Sequence, residues 1–170
     1  MSEQPLVVVM GVSGAGKSTV GSALAGLLSV GFVDADALHP HANVAKMAAG
    51  TPLTDADRWP WLDLVGAALA DASETGLVVA CSALKRAYRD RMRAAASAVQ
   101  FVHLEVPRTM LAERVTVRPG HFMPPSLLDS QLDTLEPLAT DEAGMVVPAV
   151  AGVDATVDAI VARLSPRFRN

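Results

Sequence analysis

The sequence predicts a three-layer α/β fold, in which a parallel sheet of five strands is covered by helices on both faces. Short runs of β-branched and apolar residues alternate along the chain with longer helical stretches, and this order is typical of parallel sheets. The chain has 170 residues, of which 51% are hydrophobic, enough to bury the core of one domain covering residues 1–170. Ligands of parallel sheets bind beyond the carboxyl ends of the strands, so the segments that follow each strand are the candidate site.

The predicted elements follow from the spacing of apolar residues. The five predicted strands cover residues 6–10, 31–34, 77–81, 100–106 and 145–150. The predicted helices cover residues 17–28, 42–49, 55–73, 85–96, 108–115, 125–138 and 153–164. A cluster of Pro and Gly at residues 118–125 interrupts the pattern and predicts a lid segment at about residues 115–126.

Charge and cysteine content exclude some classes of function. The formal net charge is −4, whereas a general nucleic-acid surface needs a clustered excess of Lys and Arg. Cys81 is the single cysteine, so no intrachain disulfide can form, and a reducing cytoplasm is expected. The apolar run at residues 6–10 is too short for a signal peptide or a membrane span. We therefore expect a soluble, cytoplasmic protein with no nucleic-acid or membrane partner.

A motif between the first strand and the first helix is the strongest functional signal. Residues 11–18 read Gly-Val-Ser-Gly-Ala-Gly-Lys-Ser, which matches the phosphate-loop pattern. The glycines let backbone N–H groups turn towards phosphate oxygens, Lys17 reaches the β and γ phosphates, and Ser18 can bind Mg²⁺. The alternative, a tight turn without a ligand, does not require all of these residue types together. The predicted contacts to a nucleoside triphosphate are Gly11, Ser13, Gly14, Ala15, Gly16, Lys17, Ser18 and Thr19.

Two carboxylates at the mouth of the second predicted strand are the candidate partners of this loop. The third predicted strand runs into Ser82 without the acidic residue that commonly helps to hold magnesium. Asp34 and Asp36 supply the charge: Asp34 would steady Mg²⁺ and its water, and Asp36 would accept the proton of an attacking hydroxyl or orient it. Either one is alternatively a helix N-cap or turn residue, and the sequence leaves open which acts as base.

Further motifs extend over nearly the whole chain, from Val9 to about Glu142. They are Asp34-Ala35-Asp36-Ala37-Leu38-His39-Pro40, Asp57-Arg58, Pro60-Trp61-Leu62, Cys81-Ser82-Ala83-Leu84-Lys85, Arg118-Pro119-Gly120-His121-Phe122-Met123 and Ser130-Gln131 before Thr134-Leu135-Glu136. Together they resemble the gluconokinase family, small P-loop kinases that phosphorylate D-gluconate at its 6-hydroxyl. The resemblance implies the fold of nucleoside monophosphate and shikimate kinases, with ATP and Mg²⁺ as cofactors, D-gluconate as acceptor and a homodimer. The chain departs from the family at Ala35, where Gly is frequent.

With this resemblance, basic residues beyond the acids become candidate contacts to gluconate. Its carboxylate needs a cationic anchor, and Arg58 suits this role because a guanidinium pairs bidentately with a carboxylate. A surface salt bridge with Asp55 or Asp57 is the alternative for Arg58. Lys85 follows the third strand and is interpreted as a contact to substrate or phosphate.

Polar residues around these cations complete the predicted acceptor site, to which Asp36 also belongs. His39 and Asn43 lie four residues apart on an expected short helix, where they would share a face and address substrate hydroxyls; helix capping is the alternative for His39. The arginines after Lys85 are expected to form a solvated helix face paired with Asp90, with no chemical role. They are Arg86, Arg89, Arg91 and Arg93.

Cationic residues around the Pro-Gly break resemble the lid of this kinase superfamily. Arg114, Arg118 and His121 are predicted there: Arg118 as a catalytic residue, Arg114 and Arg118 as nucleotide contacts, and His121 as a substrate contact. A closing cation stabilises charge on the oxygens between donor and acceptor and excludes water. A solvated helix end is the alternative for Arg114.

Two other functions compete with this interpretation. A shikimate kinase-like enzyme would share the loop and the acids, but its glycine run after the third strand is absent, since residues 82–85 read Ser-Ala-Leu-Lys. A nucleotide-binding switch that reads guanine needs an Asn-Lys-x-Asp motif, which the sequence lacks. A non-catalytic nucleotide sensor would not need to retain Lys17, Ser18, Asp34 and Asp36.

Overall fold

The computed structural model describes residues 4–117 and 125–164, and within them the predicted α/β alternation is confirmed. The strands are β1 (Leu6–Met10), β2 (Gly31–Asp34), β3 (Leu77–Ala80), β4 (Gln100–Glu105) and β5 (Gly144–Pro148). The α-helices are α1 (Lys17–Leu28), α2 (His41–Ala48), α3 (Asp55–Asp71), α4 (Arg86–Ala95), α5 (Arg108–Val117), α6 (Pro125–Thr134) and α7 (Val153–Arg163).

The five strands form one all-parallel sheet in the order β2-β3-β1-β4-β5. β1 is central: Val8 pairs with Val79 of β3 on one side and with Phe101 of β4 on the other. The chain moves outward from β1 to β2 and later crosses back to β4, so the loops at the carboxyl ends of β1, β3 and β4 surround one crevice. A ligand of such a sheet is expected in this crevice.

The core consists of two apolar layers, one on each face of the sheet. Alternate residues of β1 serve the two layers because successive strand side chains point to opposite faces. Val7 and Val9 join the layer that contains Leu24 of α1 and Ile160 of α7. The other residues of β1 join the layer built with α3 and α4, whose buried side chains include Leu6, Val8, Met10, Leu62, Leu69 and Met92. The predicted three-layer arrangement is therefore confirmed.

The start of α3 shows how the sequence sets an element that carries site residues. Thr54 is the N-cap: its hydroxyl accepts a hydrogen bond from the Asp57 N–H (3.2 Å), and the Asp57 carboxylate accepts one from the Thr54 N–H (2.9 Å). This capping box satisfies two backbone donors that would otherwise lack an intrahelical partner. It fixes the first turn of α3, from which Asp55 and Arg58 project.

Several predicted bounds differ from the structure at their ends. The helix predicted to start at residue 85 starts at Arg86, because Lys85 has extended backbone angles and is the N-cap. A short 3₁₀ helix, Ala35–Leu38, was not predicted. Most of the predicted lid, residues 118–124, lies outside the described residues. In the part of the chain that is described, no helix combines the length and apolar character needed to cross a membrane.

Candidate active site

The phosphate loop connects β1 to α1 at the carboxyl edge of the sheet. Gly14 and Gly16 have φ angles of 85° and 92°, a left-handed conformation that glycine adopts without steric cost. The first N–H groups of α1 have no acceptor within the helix and carry its partial positive charge. The Gly11 N–H donates to the Ser82 carbonyl (3.3 Å), which attaches the loop to the segment after β3. This arrangement is suited to hold phosphate oxygens.

The side chains of Lys17 and Ser18 lie at the loop with defined partners. The Lys17 ammonium donates to the Val12 carbonyl across the loop (3.0 Å). The Ser18 hydroxyl donates to the Asp34 carboxylate (2.6 Å), so the loop and the end of β2 meet as predicted. The other oxygen of Asp34 accepts from the Asp36 N–H (3.0 Å), which makes Asp34 the N-cap of the 3₁₀ helix as well. Of the two interpretations that the sequence left open for Asp34, the turn cap is therefore observed, and the role in holding Mg²⁺ stays a prediction.

Asp36 follows on the exposed side of the same turn. Its side chain makes no hydrogen bond or ion pair with the residues that the structure describes, and it is exposed. The backbone under it is fixed, because the Ala35 carbonyl accepts from the indole N–H of Trp61 (2.8 Å). Buried Cys81 lies nearby: burial raises the pKa of its thiol to about 12, a hydrogen bond with the Ala83 backbone and the charge of Lys17 lower it, and the charges of Asp36 and Asp34 raise it further. Cys81 is therefore an inert neighbour, and Asp36 offers a carboxylate to a ligand.

His39 and Asn43 are adjacent in space, although they do not lie on one helix as predicted. His39 ends the 3₁₀ helix and α2 begins at residue 41, but the Asn43 amide still donates to His39 Nδ1 (3.2 Å) and to the Asp57 carbonyl (3.0 Å). Because Nδ1 accepts, the proton of the neutral ring is on Nε2. The ring stacks on Trp61 with centroids 4.1 Å apart. Asn43 is buried, so its observed contacts orient His39.

Charged residues at both ends of the predicted acceptor site influence the pKa of His39. Burial lowers this pKa, the charge of Asp36 raises it, and the charge of Arg58 lowers it. His39 is therefore within electrostatic reach of the candidate base and of the candidate anchor, and its ring is neutral at pH 7. A neutral Nε2–H can donate a hydrogen bond to a hydroxyl oxygen.

Arg58 and Lys85 lie beside a single carboxylate, Asp55. Lys85 contacts both oxygens of Asp55 (3.3 and 3.2 Å), and the Tyr88 hydroxyl donates to Oδ1 (2.5 Å). The Arg58 guanidinium is 3.8 Å from Asp55 and donates to the Leu53 carbonyl (2.9 Å). The Arg58 and Lys85 side chains are about one-third exposed. Two cations and one anion leave an excess positive charge that faces solvent, which favours an anionic ligand.

The predicted solvated face of α4 is wrong for Arg89. This side chain is fully buried and forms a bidentate pair with Glu142, at 2.7 and 3.0 Å. It also donates to the Ala83 carbonyl (2.9 Å), and Ala83 has a φ of 46°, which is uncommon for a residue with a Cβ. The reason for the error is that this position of α4 faces Glu142 and the loop after β3. Arg89 thereby holds the loop that carries Lys85.

A cavity of about 480 Å³ opens beside the phosphate loop. Its lining residues come from the loop, α1, α5, the segment after β5 and the start of α7; they are Gly14, Ala15, Gly16, Thr19, Val20, Glu113, Arg114, Ala149, Gly152, Val153 and Thr156. Arg114 crosses it, with donations to the carbonyls of Gly14 (3.1 Å) and Ala149 (3.1 Å). The volume is in the range of small-molecule sites, and its position next to the loop suits a nucleoside. Arg114 is therefore not a solvated residue at the end of α5, the alternative that the sequence left open.

Sequence reasoning missed one wall of this cavity. Ala149, Gly152, Val153 and Thr156 were assigned no role, although the rule that ligands bind after the ends of strands covers the segment after β5. Apolar and small residues carry little signal by themselves. Arg118 and His121 lie outside the described residues, and their roles stay predictions.

The sheet order and the residues around the phosphate loop define a P-loop kinase. Residues 6–138 match the model of a family described as an AAA domain. The gluconokinase of Gluconobacter oxydans (strain 621H) is 52% identical over 138 residues, which cover 80% of this chain and 78% of that protein. The thermosensitive gluconokinase of Escherichia coli (strain K12) is 45% identical over 142 residues, 82% of this chain and 75% of that protein. The chain belongs to the gluconokinase family.

Solved structures agree with this assignment. A gluconokinase from Sinorhizobium meliloti 1021 is 48% identical, has a TM-score of 0.85 and covers 94% of this chain and 93% of that one. An unliganded sugar kinase from a Janibacter species is 40% identical, with a TM-score of 0.89 and coverage of 98% and 99%. An adenylylsulfate (APS) kinase from Mycobacterium tuberculosis is only 18% identical, with a TM-score of 0.65 and coverage of 95% and 98%, and this likeness shows the fold alone.

Proposed function

We propose that this chain transfers the γ-phosphoryl group of ATP to the 6-hydroxyl of D-gluconate, giving 6-phosphogluconate and ADP. The observation that carries the proposal is the pairing of two sites along one crevice. The phosphate loop and the cavity beside Arg114 suit ATP, while Arg58 and Lys85 suit an acceptor with one carboxylate. Family membership at 52% identity supports gluconate as that acceptor.

The acceptor would extend from the cations towards the phosphate loop. Its carboxylate binds near Arg58 and Lys85, its middle hydroxyls bind near His39 Nε2, and its terminal hydroxyl reaches Asp36. His39 is held for this role by Trp61 and Asn43. A ligand with both ends fixed keeps its reacting oxygen in line with the donor, which is the main catalytic task in phosphoryl transfer.

The chemistry is a displacement at phosphorus. A lone pair of O6 attacks the γ phosphorus, the bond from this phosphorus to the bridging oxygen breaks, and its electrons leave with ADP. The hydroxyl proton passes to Asp36 in this proposal. Lys17 and the N–H groups of the loop stabilise charge on the phosphate oxygens. Arg114 and Arg118 are proposed to hold the donor, with Arg118 closing over it and His121 contacting the acceptor from a lid at about residues 115–126.

The donor atoms beside the loop fit Mg²⁺. Ser18 and Asp34 bring a hydroxyl and a carboxylate oxygen within 2.6 Å of each other, and oxygen is the ligand that this ion prefers. Among the described residues no group of three or more His, Cys, Asp or Glu side chains could hold a metal. Mg²⁺ does not need one, since it is commonly held by one or two carboxylates together with phosphates and water. Bound there, it would neutralise charge on the β and γ phosphates.

A coupled ATP-consumption assay over a panel of acceptors tests the function. The panel contains D-gluconate, other aldonates, shikimate and nucleoside monophosphates, with the Lys17→Ala variant as a control for contaminating kinases. We expect turnover chiefly with gluconate, and the phosphate on O6 by NMR. A strong preference for shikimate or any other acceptor refutes the assignment, and ATP binding without turnover of any acceptor supports a nucleotide-binding switch.

The assembly and the compartment are separate parts of the proposal. Family resemblance supports a homodimer, and sedimentation velocity at micromolar concentration tests it directly. The single cysteine and the acidic composition support a cytoplasmic protein that binds neither nucleic acid nor membranes. The length of 170 residues supports one domain over residues 1–170. Fractionation of cells that express the native chain tests the compartment.

A further inference from the structure

A glutamine far along the chain contacts the phosphate loop. The Ser13 N–H donates to Gln131 Oε1 at 2.8 Å, although the two residues are 118 positions apart. Gln131 lies on α6, and its motif has no part in the proposed mechanism. Because the backbone N–H can only donate, the atom facing Ser13 is the carboxamide oxygen. The Nε2 group of Gln131 is then left as a donor beside the loop, with no hydrogen bond to any residue that the structure describes.

The position of Gln131 is fixed by the end of its helix. Its carbonyl accepts from the Leu135 N–H (2.9 Å), and the next residue, Glu136, joins the loop after β3. The Glu136 N–H donates to the Leu84 carbonyl (2.7 Å), and its carboxylate accepts from the Arg86 N–H (2.9 Å). The segment from Gln131 to Glu136 therefore connects the phosphate loop with the loop that carries Lys85. Such a connection holds the carboxamide in place when no ligand is bound.

The position of Ser13 indicates which part of the donor lies near this carboxamide. From this part of the chain the nucleoside-sized cavity is lined by Gly14, Ala15, Gly16, Thr19 and Val20, and Ser13 is outside this lining. With the nucleoside beside Gly14 to Thr19, the chain of phosphates runs along the loop away from the cavity. Ser13 is on the far side, where the terminal phosphate would lie.

We propose that Gln131 binds the terminal phosphate of the donor nucleotide. Its carboxamide oxygen holds the Ser13 N–H, and its Nε2 donates to an oxygen of the γ phosphate. The proposal rests on ATP as the donor in the proposed function and is independent of which acceptor is used. It gives Gln131 a chemical role that a helix surface residue such as Ser130 would not have.

Gln131→Glu is the informative variant because it preserves one of the two contacts. A carboxylate still accepts from the Ser13 N–H, but an anionic oxygen replaces the amide donor next to the phosphate. Binding is measured by calorimetry with two probes, a non-hydrolysable imido analogue of ATP and ADP, both with Mg²⁺. We expect the dissociation constant of the analogue to rise about tenfold or more, since two anions at contact distance repel strongly, and that of ADP to change less than about twofold.

Two further variants make the result decisive. Ser130→Glu places the same charge on an exposed neighbour and should leave both dissociation constants unchanged. Gln131→Met removes the donor and the acceptor without adding charge. It should raise the dissociation constant of the analogue about threefold to tenfold, the effect of one hydrogen bond. Equal weakening of both nucleotides by Gln131→Glu, or no weakening, overturns the proposal. If gluconate fails in the acceptor panel, these binding results are unaffected.

Discussion

Replacing Glu142 by Gln removes the negative charge from the buried pair with Arg89 and keeps the shape of the side chain. Burial by itself raises the pKa of Glu142, but hydrogen bonds from Arg89, the Ala139 N–H and Arg93 outweigh burial and bring this pKa to about 2. The ordinary value is 4.5. The charged form is therefore favoured in the folded protein relative to the unfolded chain.

The difference between these pKa values gives the size of the effect. A lowering from 4.5 to about 2 corresponds to about 3 kcal/mol of folding free energy at neutral pH. Because the folded pKa is the lower one, this contribution is complete above pH 4.5 and is lost as the pH falls towards 2. At pH 3.5 about 2 kcal/mol should remain. The cost of breaking a buried pair by removal of one partner is of the same order.

Urea unfolding of the wild-type protein and of Glu142→Gln, measured between pH 7 and pH 3.5, tests this. We expect Glu142→Gln to be less stable than the wild-type protein at pH 7. The difference between their free energies of unfolding should shrink as the pH falls. The matched control is Asp141→Asn: Asp141 also pairs with an arginine, Arg86, through both oxygens (2.8 and 2.7 Å), but its side chain is two-thirds exposed. The loss of stability in Asp141→Asn should therefore be much smaller than in Glu142→Gln. Equal losses for the two variants, or a gap that does not change with pH, would refute the reasoning.

Other variants test the site and the core. Arg58→Ala should raise KM for gluconate about tenfold or more through loss of a charge-assisted contact, whereas Lys17→Ala should lower kcat itself; unchanged constants for Arg58→Ala would reject it as the carboxylate anchor. A Cβ added at Gly66 in α3 would come within 2.9 Å of the Ala95 Cβ in α4, so Gly66→Ala should cost about 1–3 kcal/mol through overpacking. Gly26→Ala in α1 meets nothing within 4 Å and should stabilise by up to about 1 kcal/mol. Thermal unfolding of the two Gly variants side by side checks this, and a loss of stability in both would argue against a packing effect.

The order of the elements and much of the donor site could be predicted from the sequence because they depend on local patterns. Strands reveal themselves through short apolar runs, and the phosphate loop is a contiguous motif that ends in Lys17 and Ser18. The contact between Ser18 and Asp34 also followed from local reasoning, since the loop before Ser18 follows β1 and Asp34 ends β2, and the parallel strands end at the same edge of the sheet. The short turn after β2 was missed because it depends on one side-chain cap, from Asp34.

Features that depend on packing between distant segments could not be predicted. Arg89 stands in a run of arginines, a pattern that is typical of a solvated helix face. The cost of burying its charge is offset by the pair with Glu142, which comes 53 residues later in the sequence. The wall of the nucleoside cavity consists of small and apolar residues such as Ala149 and Gly152, which have no distinctive pattern. The contact of Gln131 with Ser13 likewise joins segments that are distant in the sequence.

The candidate donor and acceptor residues come from different stretches of the chain, and this separation has a consequence for how specificity can change. The candidate acceptor residues lie within residues 36–58 and at the start of α4, whereas the cavity proposed for the nucleoside is lined by the phosphate loop, α5 and the segment around Gly152. Substitutions in the acceptor stretch can therefore change which metabolite is phosphorylated, while the affinity for the nucleotide is preserved. A chimaera that exchanges residues 36–58 between two kinases of this fold would transfer substrate preference together with that stretch.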